Sequence, residues 1–218
     1  MIAKPNVLNF LEESAEPNND LTGPVRIAEP FSNPWQTVSS TEVYRNPWIQ
    51  VTEHRVIRPD GKPGIYGVVA FQNLAVGVLA LNDEGFLVLV GQWRYPLGVY
   101  SWEIPEGGCP LGQDPLETAQ RELREETGLG AHQWESMLRM HLSNSVSDEA
   151  AVVFVARSLR QGVAEPEGTE KLMVRWVRPV EAWDMIRQGL ITDAISVAAI
   201  QHLLLIYPEL GRPTPTKF

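Results

Sequence analysis

Residues 107–129 read GGCPLGQDPLETAQRELREETGL, a glycine- and proline-rich turn running into a segment of high helix propensity. Asp114 can cap a helix, Pro115 suits its first position, and Glu117 is placed to close a capping box, so the spacing predicts a helix from Pro115. It should run to Thr127 and stop at Gly128, a residue type that tolerates the left-handed cap. Within it Glu122, Glu125 and Glu126 stand at i, i+3 and i+4 and share one face, where three carboxylates repel one another. A Glu/Arg-rich helix taken alone is a solvated face. Hard oxygen ligands on a rigid helix are also what a Mg²⁺ site with a phosphate substrate needs, and the metal charge would relieve the repulsion.

Upstream of this stretch the texture is β-rich from Val43: VYRNPWIQVTEHRVI, a Pro59-Asp60-Gly61 turn and GIYGVVAFQ predict a hairpin. LAVGVLAL and FLVLVGQWR, joined by Asn82-Asp83-Glu84-Gly85, extend it into a meander, and the short strand SWEI leads into a Gly/Pro loop. Downstream, WESMLRMHL, AAVVFVARSL and KLMVRWV read as strands, while PVEAWDMIRQG and DAISVAAIQHLLLI have the apolar spacing of closing helices. The expected class is α+β, a mixed sheet between helices in an α/β/α sandwich. Residues 1–40 read as an N-terminal extension, loose or draped on a partner, with Phe31 and Trp35 as its packing aromatics; 41–210 form the main domain and 211–218 a tail.

The chain has 218 residues, 44% of them hydrophobic, enough for one core of ordinary size. A formal net charge of -9 argues against a protein that lives on nucleic-acid backbones or anionic membranes, and leaves small anionic substrates open if metal ions neutralise a local acidic cluster. The lone Cys109 cannot form an internal disulfide, which fits a reducing cytoplasm; beside Pro110 and with no identifiable histidine partner, it reads as a loop filler. No apolar run approaches the roughly 20 residues that cross a bilayer, and MIAKPNVLNFLEESAE turns acidic where a signal peptide would stay apolar, so a cytoplasmic location is expected.

The stretch from Gly107 to Leu129 closely resembles the Nudix box: Gly107, Arg121, Glu122, Leu123, Glu125, Glu126, Gly128 and Leu129 fall at the family spacing. Gln113 stands where the pattern has its first glutamate. The resemblance covers roughly residues 43–206 and is strongest to the branch acting on ADP-ribose and nucleotide sugars, in which a Gln-aromatic-Arg strand end precedes a Glu-aliphatic-Pro-x-Gly turn. Here these are Gln92-Trp93-Arg94 and Glu103-Ile104-Pro105-Glu106-Gly107.

The resemblance implies a Nudix fold and a hydrolase that uses Mg²⁺, with Mn²⁺ as an alternative. Metal would be held by the carbonyl of Glu106 and the carboxylates of Glu122 and Glu126, assisted by Glu125 and by Glu103. Arg121, Glu122, Glu125 and Glu126 form the catalytic core of the motif, and a glutamate from a loop before the last strand would act on water, with Glu170 favoured over Glu165 and Glu167. Arg94 would meet a phosphate oxygen, with Glu103 counted beside it on the substrate side, and Trp48 and Tyr66 would stack on the base unless they serve core or interface packing. The reaction implied is attack on the pyrophosphate of ADP-ribose or a nucleotide sugar, releasing a nucleoside monophosphate and a sugar phosphate. Ser143-Asn144-Ser145-Val146-Ser147-Asp148-Glu149 lacks the Ser-Pro common in the ADP-ribose branch, yet its Ser-Asp-Glu ending resembles the wider group. The same resemblance suggests a homodimer. The rival reading, a noncatalytic Nudix-like nucleotide sensor, is usually marked by lost acidic ligands, and only Gln113 leans that way.

Overall fold

The computed structural model describes residues 32–162 and 172–211. Its first element, β1 (Gln36–Arg45), pairs antiparallel with β2 (Ile49–Ile57), which pairs antiparallel with β3 (Pro63–Phe71) to make a three-stranded sheet. β1 begins upstream of Val43, inside the stretch read as extension; every residue of it is exposed, so no apolar alternation announced the strand. The expected hairpin turn is present: Arg58 N–H donates to the Lys62 carbonyl at 2.9 Å, and Gly61 takes φ 77°, a conformation that favours glycine.

The main sheet has the order β7-β4-β9-β8, from β4 (Asn73–Ala80), β7 (Glu106–Pro110), β8 (Leu129–His141) and β9 (Ala150–Gln161), and is mixed because β4 and β9 run parallel. β5 (Leu87–Arg94), β6 (Val99–Glu103) and β10 (Met173–Val177) form an antiparallel sheet in the order β10-β5-β6. Two sequence expectations are corrected here. The meander breaks twice: β3 and β4 lie in different sheets, and after the Asn82–Gly85 turn a single Leu81–Leu87 bridge joins β4 to β5, because both edges of β4 are taken by β7 and β9. The Gly/Pro loop after SWEI contains β7, whose glycines pair closely with β4 and whose Pro110, lacking an N–H, ends the strand.

Two-residue alternation along β4 and β9 feeds two apolar layers. Val76, Val78 and Val152 pack with Ala119 and Leu123 of α1 (Pro115–Thr127), while Leu79, Val153 and Val155 pack with Ile200 and Leu203 of α3 (Ala194–Ile206). α2 (Pro179–Arg187) joins the second layer through Ala182 and Met185. The expected sandwich of a mixed sheet between helices is thus observed. At Gly77 a β-carbon would meet Ile195 Cγ2 at 2.9 Å and Ile104 Cδ1 at 3.0 Å, so this glycine lets the start of α3 lie directly on β4. Among the described residues, no helix is long and apolar enough to cross a membrane.

Candidate active site

Gln92 and Arg94 are two residues apart on β5 and so share a face, with Glu103 reaching them from β6. Glu103 is fully buried, and its carboxylate is held by the Arg94 fork, Nε to Oε2 at 3.0 Å and Nη2 to Oε1 at 2.7 Å, and by Gln92 Nε2 at 2.6 Å. Arg94 Nη2 also reaches Glu106 Oε1 at 2.5 Å. The arginine expected to meet phosphate is thus engaged with two carboxylates while its side chain stays about one-third exposed, at 35%. Burial alone would make this guanidinium less basic, but Glu103 and Glu106 outweigh it and hold it above its ordinary value.

α1 has the two end caps its sequence announces, Asp114 Oδ1 accepting from Leu116 N–H at 2.9 Å and Gly128 closing the helix at φ 72°. It does not have the capping box expected from Glu117, because Asp114 turns to the second amide of the helix rather than the third. Its acidic face turns inward, with Glu122 and Glu126 buried and Glu125 half-buried. Arg121 donates from Nη2 to Glu122 Oε1 at 2.6 Å and from Nη1 to Glu125 Oε2 at 2.7 Å, holding both carboxylates in place. Glu126 Oε2 accepts the main-chain N–H of Glu106 at 3.1 Å, which fixes β7 against the helix. Gly107 lies so close to Glu122 that a β-carbon there would fall inside the carboxylate.

These groups border a cavity of about 1020 Å³, lined by Arg94, Glu103, Glu106, Arg121 and Glu122, with Trp48, Phe71, Leu97 and Leu142 as apolar wall. Trp48 is 65% exposed at its rim. Glu125, Glu126, Gln113 and Tyr66 are not part of the lining. Gln113 sits in the exposed turn before α1, so its departure from the box pattern lies outside the cavity. Tyr66 instead donates its hydroxyl to the Ser145 carbonyl at 2.6 Å and packs edge-on against Trp35. Glu165, Glu167 and Glu170 lie outside the described residues, as does Phe31.

Two lining residues were not singled out by sequence. Glu149 follows the 143–148 loop, which β3 pins through Val69 N–H to Val146 O at 2.9 Å and through Asp148 Oδ1, acceptor of Phe71 N–H at 2.8 Å. Burial, then Asp193 and Asp148, push the Glu149 carboxyl above the usual carboxylate range. Asp193 caps α3 by accepting Ser196 N–H at 2.7 Å, and Ser196 Oγ accepts Ile104 N–H at 2.9 Å. The Ser-Asp-Glu ending and the capping aspartate were the available signals; long-range pairing alone put them on one cavity.

The lining holds five carboxylates, Glu103, Glu106, Glu122, Glu149 and Asp193, against two guanidinium groups, Arg94 and Arg121. Burial, together with Asp193 and Glu103, pushes the Glu106 carboxyl well up, against the pull of Arg94. An oxygen-only donor set with excess negative charge fits a hard divalent cation. Among the described residues no three acidic, histidine or cysteine side chains converge as a metal-holding group; Arg121 supplies the countercharge for Glu122 and Glu125.

Comparison with known proteins matches residues 72–195 to the NUDIX domain. The chain belongs to the Nudix family. Members of this family of hydrolases generally use divalent metal ions, and the present Nudix hydrolase also matches, over residues 35–69, the nucleoside diphosphate sugar hydrolase N-terminal domain, which is the β1–β3 sheet. It is 32% identical over 145 residues to an ADP-ribose pyrophosphatase of Mycobacterium tuberculosis (strain ATCC 25618 / H37Rv), covering 65% of this chain and 70% of that one. An ADP-ribose pyrophosphatase of Bacillus subtilis (strain 168) is 35% identical over 149 residues, covering 67% and 80%. The crystal structure of an ADP compounds hydrolase shares the fold, with a TM-score of 0.74 at 19% identity over 85% of this chain and 100% of that chain.

Proposed function

We propose that this Nudix hydrolase cleaves the pyrophosphate of ADP-ribose or a nucleotide sugar, giving a nucleoside monophosphate and a sugar phosphate, with Mg²⁺ as cofactor and Mn²⁺ as substitute. The observation that carries this reading is the meeting of Glu122 of α1 with Glu106 and Arg94 on one cavity of about 1020 Å³, large enough for a nucleoside diphosphate derivative. Glu122, Glu126 and the Glu106 carbonyl would hold the cation, which would lower the pKa of water and neutralise phosphate charge. Arg121 positions Glu122 and Glu125. Arg94, whose Nη1 donates no hydrogen bond among the described residues, offers that edge to a phosphate oxygen. Trp48 supports a stacking role at the rim, whereas Tyr66 is taken up in holding the Ser145 loop.

For the carboxylate acting on water, Glu149 replaces Glu170 in this reading, because it is half-buried in the cavity wall. Glu149→Gln should lower kcat by roughly 10²–10⁴-fold with KM little changed, while Glu170→Gln stays within a few-fold of wild type. A carboxyl raised above its ordinary value is protonated, and cannot accept a proton, at low pH; kcat should therefore rise with pH through the acid range, and that limb should vanish in Glu149→Gln. The reverse ranking of the two variants would return the role to Glu170.

The class is tested by incubating the protein with Mg²⁺ and ADP-ribose, ADP-glucose, GDP-mannose, UDP-glucose, NADH or diadenosine polyphosphates and analysing the products. Metal-dependent release of a nucleoside monophosphate from one sugar conjugate is expected. No turnover, with thermal stabilisation by one ligand, would instead mean a sensor. The exposed Val38, Val43, Tyr44 and Ile65 of the β1–β3 sheet support a homodimer, and light scattering at micromolar concentration should give twice the chain mass. The buried free Cys109 is compatible with a cytoplasmic protein.

A further inference from the structure

We infer that the side chain of Glu106, through Oε2, is itself a ligand of the divalent cation, in addition to the main-chain carbonyl of the same residue. The inference rests on the proposed metal-dependent reading of the site and goes beyond it, because that reading uses only the backbone of this position.

Glu106 opens β7, in register with Gly77 of β4. Three of its polar atoms can be compared. Its N–H is on Glu126 Oε2 at 3.1 Å, and its Oε1 takes Arg94 Nη2 at 2.5 Å. Its Oε2 is buried and, among the described residues, has no hydrogen-bond partner. A buried carboxylate oxygen left bare is unfavourable and rare, so it calls for a ligand or a reason.

Positioning Arg94 is not a sufficient reason. That guanidinium is already forked onto Glu103 by two contacts of 2.7 and 3.0 Å, and Gln92 completes the Glu103 carboxylate. A second carboxylate beside the same arginine leaves the group under-neutralised, with Asp193 and Glu126 adding further negative charge around Glu106. A cation on Oε2 would satisfy the bare oxygen and this charge together. Gly107, having no side chain, lets the Glu122 carboxylate lie directly against β7, next in sequence to Glu106. Among the described residues no three acidic side chains converge, with Glu106 and Glu122 turned to Arg94 and Arg121, so the cation would draw its carboxylates together, with water completing its shell.

The test is binding of Mn²⁺ alone, without nucleotide, to the full chain, read from the free-ion signal in electron paramagnetic resonance. Glu106→Gln, which keeps the carbonyl and the side-chain length, should weaken the affinity by about tenfold or more. Arg94→Gln should bind no more weakly than wild type, since it removes a neighbouring positive charge. Equal weakening in both variants would overturn the inference, because the ion pair and not the oxygen would then matter. Should Glu106→Gln fail to fold, Glu106→Asp, which keeps the charge but withdraws the oxygens, must show a clear loss for the inference to stand. Wild-type affinity in Glu106→Gln alongside loss in Glu122→Gln would overturn this assignment and leave the site intact. Absence of Mn²⁺ binding in the wild type would overturn both.

Discussion

Glu126→Gln is expected to lower turnover by roughly three orders of magnitude, equivalent to about 4 kcal/mol of transition-state stabilisation, while the protein folds as before. The side chain is buried on α1, and its Oε2 accepts the Glu106 N–H at 3.1 Å. An amide is nearly isosteric and its oxygen can still accept that N–H, so the junction between β7 and α1 should survive. What is lost is the negative charge proposed to hold the cation. Circular dichroism and a thermal melt would check the fold, and a steady-state assay on the substrate found in the panel would check turnover. Near-wild-type kcat would remove Glu126 from the ligand set.

Gly107→Ala should be nearly as damaging for a different reason. Gly107 needs no unusual backbone angle; the constraint is close approach, because an added β-carbon would occupy the place of the Glu122 carboxylate. Glu122 cannot simply turn aside without giving up Arg121, which holds it at 2.6 Å. Relief therefore requires β7 to move off α1, at about 1–3 kcal/mol in stability, and kcat should fall by roughly 10²-fold or more as the two carriers of the site separate. Gly108→Ala is the control: there the added atom meets the side-chain amide of Asn73 at 2.9 Å, the end of a flexible group, so stability and turnover should change less. Chemical denaturation of the two variants side by side decides it, and equal effects would refute the close-approach argument.

Helix α1 was legible from end to end because its signals are local: Asp114, Pro115 and Gly128 act through their own backbone angles and nearest turns. The same holds for the Gly61 turn and for the continuous apolar runs of β4 and β9. β1 was missed in part because strand pairing, not burial, holds it, and an exposed strand carries no periodic apolar mark. β7 was taken for a loop because two glycines and a proline are ordinarily turn chemistry, and only the edge offered by β4 makes them a strand.

The sequence by itself determined the carboxylate-bearing face of α1, which follows from spacing along one helix, and the order of strands and helices that makes the sandwich, while its resemblance to the Nudix box gave the family. Only the tertiary structure decided which groups share the cavity. Arg94 turned out to be tied to Glu103 and Glu106, Tyr66 was drawn away to Ser145, and Glu149 and Asp193 arrived from loops far along the chain. Those outcomes depend on how separate strands and helix ends are brought side by side, and contacts between distant segments leave no period in the sequence to read.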